Sequence, residues 1–132
     1  MKEHVEGTFE VTSWTEGPTS ELEGAPKVSA AAIGQRFSGG IEADTVTDTV
    51  MTYRDDGTAE FVGYQRVVGH IGERKGSFVL QSIGTYDGNE ARATVSVVDG
   101  SGTADFAGIR GGGTTAAPHG SSGTFQLDYE LG

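Results

Sequence analysis

The chain has 132 residues, enough for one domain that buries roughly 65% of the surface its unfolded form would expose. Twenty-two glycines against three prolines argue for many tight turns rather than a disordered linker, and the lack of cysteine excludes disulfides, thiolate nucleophiles and thiolate zinc sites. Nine basic and nineteen acidic residues leave a net charge of −10, which disfavours nucleic acid and anionic membrane surfaces as partners.

The opening stretch, MKEHVEGTFEV, has no apolar run of signal-peptide type, and no segment approaches the length of a membrane span, so a cytoplasmic protein is expected. The first β-type run, 5–15, sets Val5, Phe9, Val11 and Ser13 on one face, with Trp14 on the other near its end. Residues 17–27, GPTSELEGAPK, read as a long loop, and a second run covers 28–38. In 41–54, Glu42, Asp44, Val46 and Asp48 share one face. Ile41, Ala43, Thr45, Thr47, Thr49, Met51 and Tyr53 share the other. Carboxylates crowded in a dry site repel one another, so the acidic face is expected in water and the threonines inside.

Further runs at 59–70, 77–86 and 90–98 are divided by Asp56-Gly57, Gly72 to Gly76, Asp87-Gly88 and Asp99-Gly100, residues that tolerate the positive φ of tight turns. In 77–86 the face of Phe78, Leu80 and Tyr86 carries Ser82, while Gln81 lies opposite with Val79 and Ile83. In 90–98, Ala91, Ala93, Val95 and Val97 oppose Glu90, Arg92, Thr94 and Ser96. The stretch GSGTADFAGIRGGG, 100–113, is too rich in glycine for a long helix. Its centre, Thr103 to Ile109, admits one helical turn capped by Ser101 or Thr103. Runs at 112–118 and 124–131 complete the set, and in the last Phe125, Leu127, Tyr129 and Leu131 form the apolar face.

Eight runs joined mostly by short loops predict antiparallel neighbours in an all-β sandwich or barrel; closure would remove the exposed edges. No internal repeat or boundary divides the chain, so a single domain over 1–132 is expected.

Five segments carry a resemblance: GTFEVTSW (7–14), FSGGIEADTVTDTVMTYRDDGTAEFVGYQRVVG (37–69), GSFVLQSIGTYDG (76–88), GSGTADFAGIRGGG (100–113) and HGSSGTFQLDYEL (119–131). Together they resemble a bacterial family of small domains of unknown function. The resemblance implies a closed eight-stranded antiparallel barrel similar to that of allene oxide cyclase, allows a homodimer, and implies no known activity. At the position of Ser82 the family motif is expected to carry a histidine after FVLQ, so a proton-transfer role for an imidazole there does not carry over. His119 fits the family pattern at its own position.

The chemistry in the residues is sparse. GIRGGG, 108–113, lacks the glycine spacing of a dinucleotide fingerprint and the Lys-Ser/Thr of a P-loop, and HGSSG, 119–123, is not a nucleophile elbow. His4, His70 and His119 are the only imidazoles and form no i, i+2 pair, so no metal and no cofactor are expected. The candidates are polar groups among apolar neighbours: Ser82, Tyr86, Tyr53, Tyr129 and His119, with Tyr64 and Arg66 sharing a face beside them. Glu42 is the carboxylate for acid/base work if it is buried. These residues point first to a barrel binding a small apolar or amphipathic molecule. The alternatives are a cyclase or isomerase of a lipid-like or polyketide-like substrate, working by confinement, or a structural protein with a filled core.

Overall fold

The computed structural model describes residues 2–20, 22–118 and 122–131. It contains the strands β1 (Lys2–Ser20), β2 (Val28–Gly39), β3 (Glu42–Tyr53), β4 (Ala59–Ile71), β5 (Arg74–Tyr86), β6 (Glu90–Val97), β7 (Thr103–Ala104), β8 (Ile109–Pro118) and β9 (Gly123–Leu131). The described residues include no helix.

Each long strand pairs antiparallel with its successor, and β9 pairs back onto β1. The sheet therefore closes into an eight-stranded meander barrel, with β7 a two-residue bridge to β5. The turns follow from local chemistry. At 54–58, Asp56 Oδ1 accepts from the Thr58 amide (3.0 Å) and hydroxyl (2.7 Å) while Gly57 takes φ +88°. Asp87 does the same for the Asn89 and Glu90 amides, both at 2.8 Å.

The region expected to allow a helical turn is different. Successive turns run through 103–109, with hydrogen bonds from Phe106 N to Thr103 O (2.9 Å) and Ile109 N to Phe106 O (3.0 Å). Ala104 sits at φ +51°, outside the right-handed helical region, because the segment bends back to pair with β5. Ser101 and Thr103 do not cap a helix: their hydroxyls accept the Val79 and Ser77 amides of β5, at 3.0 and 3.1 Å.

The alternation in β9, β6, β5 and β3 is as the sequence predicts, and one end of the barrel is solid. Phe9, Phe37 and Phe125 stack there, with ring centroids 5.4 and 4.7 Å apart, and Phe106 from the 98–108 crossover meets Phe78 edge-on at 5.3 Å. Three of the barrel's phenylalanines stand directly across the ladder from glycines: Phe9 from Gly123, Phe125 from Gly7, and Phe61 from Gly84. A Cβ on Gly7, Gly84 or Gly123 would lie under 3 Å from its partner's ring, so each ring occupies the room its glycine leaves. An eight-stranded barrel is just wide enough for side chains to fill, and large–small pairing is how this one accommodates rings.

Strand β1 departs from the predicted phase. The pairing with β2 skips Thr12, going from Val11↔Gln35 to Ser13↔Gly34. This bulge advances the alternation by one residue, so Trp14 joins Val11 on the interior side and Ser13 turns its hydroxyl to the Gly34 amide (3.2 Å).

Candidate functional site

Above the phenylalanine stack the barrel is hollow. A cavity of about 460 Å³ opens at the end formed by the 20–28, 53–59 and 86–90 connections. Its walls come from every long strand except β9: Phe9, Val11 and Trp14; Ile33, Gln35 and Phe37; Thr47, Thr49, Met51 and Tyr53; Ala59, Phe61 and Gln65; Ser82 and Tyr86; Ala91, Ala93 and Val95; Thr115 and Ala117. None of these side chains is charged.

The polar groups lie in two tiers. Deep in the cavity, Gln65 Nε2 donates to Gln35 Oε1 (2.7 Å) and to Thr45 Oγ1 (3.1 Å), and Thr47 Oγ1 donates to the same Gln35 oxygen (3.2 Å). Thr49 satisfies itself on the Val62 carbonyl at 3.1 Å. At the lip, the Glu16 carboxylate accepts from Ser29 Oγ (2.6 Å), Tyr53 OH (2.7 Å) and Trp14 Nε1 (2.9 Å). The Ser29 bond, followed by those from Tyr53 and Trp14, holds the Glu16 pKa below its ordinary value against the opposing effect of burial. Burial, then the neighbouring carboxylate, pushes the Tyr53 phenol up to about 12. The Lys27 ammonium lies 5.0 Å from the Tyr53 ring centroid.

Of the residues singled out from sequence, Ser82, Tyr86 and Tyr53 line this cavity. Ser82 is 8% exposed, and its hydroxyl makes no hydrogen bond among the described residues. Tyr86 turns its hydroxyl to the Gly88 carbonyl, 2.9 Å away. Four others stand elsewhere. Tyr129 is 1% exposed but belongs to the filled end, because its position in β9 lies below the phenylalanine stack. Glu42 begins β3 on the outward face at that same end, where it accepts from the Gly39 amide and pairs with Arg36 at 3.4 Å. Tyr64, 52% exposed, and Arg66 face outward. His119 lies outside the described residues.

Sequence reasoning missed Gln35, Gln65, Trp14 and Glu16. A signal existed for Gln65, which falls in phase with Phe61 and Val67 on β4. It was masked because Val62 and Val68 make the opposite face apolar as well.

Residues 5–129 match the model of a family described as "Protein of unknown function (DUF3224)". Among solved structures, the crystal structure of a protein of unknown function from that family in Shewanella oneidensis MR-1 superposes with a TM-score of 0.84. The two are 24% identical, over 100% of this chain and 99% of that one, a likeness that speaks to the fold. Comparison with curated proteins yields no match.

Proposed function

The chain belongs to the DUF3224 family, and from its half-hollow barrel we propose that it binds one small apolar or amphipathic molecule in the open end. The observation that carries this reading is the cavity itself. A volume of about 460 Å³ falls inside the range of roughly 300–1,000 Å³ common to small-molecule sites. Its walls are aliphatic and aromatic with a few fixed polar groups, the composition that gives a ligand both affinity and orientation. Each methylene moved from water into such a space contributes about 0.8 kcal/mol.

The cyclase or isomerase reading would use the same space. Among the described lining residues the only titratable groups are Tyr53 and Tyr86, and the Tyr53 proton is directed at Glu16 rather than into the cavity. Catalysis there would rest on holding a reactive chain in a folded conformer, with no carboxylate or imidazole among the described lining residues to move a proton. Binding is therefore the reading the side chains support best.

Trp14 is the single tryptophan, and it stands at the cavity lip, so its fluorescence reports occupancy directly. Titration with a panel of lipid-like and aromatic probes is expected to shift its emission saturably for at least one of them. Ser82→Phe should lower the affinity for that probe about tenfold or more while leaving the far-UV circular dichroism unchanged. Ala93→Leu, on the neighbouring strand β6, should act in the same direction. If both variants fold and take up every probe as the parent does, this cavity is not the binding site.

A further inference from the structure

We propose that the deep end of the cavity selects an uncharged ligand head carrying a hydrogen-bond acceptor and donor side by side, as a carboxamide or lactam does. This deepens the binding reading above and rests on it.

The argument starts from the Gln35–Gln65 pair. Both hydrogens of Gln65 Nε2 are committed, to Gln35 Oε1 at 2.7 Å and to Thr45 Oγ1 at 3.1 Å. Gln35 Oε1 also receives the Thr47 hydroxyl at 3.2 Å. The atoms left over are the Gln65 carbonyl oxygen and the Gln35 amide nitrogen, neither of which has a partner among the described residues. Gln65 is only 5% exposed, yet no fully enclosed polar side-chain atom among the described residues lacks a partner. Its free oxygen therefore retains open surface, and for a cavity-lining residue inside the barrel that surface is the cavity.

The conclusion does not depend on which way the amides are turned. Two amides bonded to each other through one nitrogen and one oxygen always leave the complementary oxygen and nitrogen free. Rotating both exchanges the roles and again leaves one acceptor and one donor facing the ligand. Rotating only one sets oxygen against oxygen or nitrogen against nitrogen. Ser82 adds a hydroxyl on the cavity wall that makes no hydrogen bond among the described residues.

The ligand's charge follows from what the cavity wall lacks. Among the described residues no cationic or anionic side chain lines the cavity, and the nearby Glu16 carboxylate already holds three hydrogen bonds. An ionised head would lose its water and meet no counter-ion. A purely apolar head would leave the two amide atoms unpaired, which also weakens binding. A neutral amide satisfies both with two hydrogen bonds.

The test uses four probes that share one aromatic body: phenylacetamide, phenylacetate, phenethylammonium and ethylbenzene. Their affinities are read by calorimetry and by Trp14 fluorescence. Phenylacetamide should bind the parent about 10- to 100-fold more tightly than the other three. Changing both Gln35→Leu and Gln65→Leu should erase that preference while ethylbenzene still enters. Should the double variant fail to fold, Gln65→Met keeps the shape and should still reduce the preference several-fold. Uptake of ethylbenzene as tight as that of the amide overturns the inference and leaves the binding cavity standing, as does a preference that survives loss of the glutamines. If none of the four enters the parent, the binding reading fails together with the inference.

Discussion

Glu16 and Tyr53 show how single residues acquire properties that their own strands do not announce. The carboxylate takes its hydrogen bonds from Ser29, thirteen residues on, and from Tyr53, thirty-seven residues on, brought together by barrel closure. Because the folded pKa of Glu16 lies below its ordinary 4.5, the folded state binds that proton less readily than the unfolded chain. Its stabilisation is complete above the ordinary carboxylate range and is lost as pH falls through the lower, folded value. Glu16→Gln should therefore flatten part of the acid limb of a stability–pH profile measured by denaturant melts. Tyr53→Phe, which removes one bond to a half-exposed carboxylate, should cost about 1–2 kcal/mol at neutral pH. In an alkaline absorbance titration, Tyr53 should still be protonated near pH 11, and Glu16→Gln should bring its ionisation forward. Ser82 was legible because it interrupts one clean apolar face of its strand. Gln65 was not, because valines on one side and Phe61 and Val67 on the other give β4 two apolar faces, while Gly63 and Gly69 add no phase information.

Strands with one wet and one dry face are the elements that sequence reveals best. In β9, Phe125, Leu127 and Tyr129 are buried and Thr124, Gln126 and Asp128 are exposed, the period of two that alternation predicts. Leu127→Ala should cost on the order of 2–5 kcal/mol through lost burial and a residual cavity. Gln126, exposed and with its side chain bonded to Thr114 Oγ1 at 3.0 Å, should cost about 0.5 kcal/mol or less when changed to Ala. Equal shifts in the two denaturant midpoints would contradict the observed burial. The element read least well is β1, and the reason is geometric. An inserted residue at Thr12 leaves no trace in composition, yet it reverses the faces of the residues that follow it, Trp14 and Glu16 among them. The crossover of 98–108 was difficult for a related reason: its form is set by hydrogen bonds to β5, which local propensity does not contain.

At the scale of the molecule, one end of the barrel holds stacked rings and the other holds space, so the packed core and the proposed binding site occupy different halves. The division predicts that the filled end is intolerant of added volume. Gly123→Ala would set a methyl about where the Phe9 ring lies, and should cost about 1–3 kcal/mol in a denaturant melt, as overpacking does. A similar change at Gly17, where an added Cβ meets nothing within 4 Å, should leave the midpoint nearly unmoved. The Phe9–Gly123 and Phe125–Gly7 contacts both lie on the ladder between β1 and β9, where Lys2 stands opposite Glu130. This join has a consequence for how the protein is made. A ribosome delivers β1 before β9, so one edge of β1 waits unpaired while the strands between them are synthesised. Until β9 emerges, that edge is an open template for a neighbouring nascent chain, and the rings that will cover Gly7 and Gly123 are not yet together.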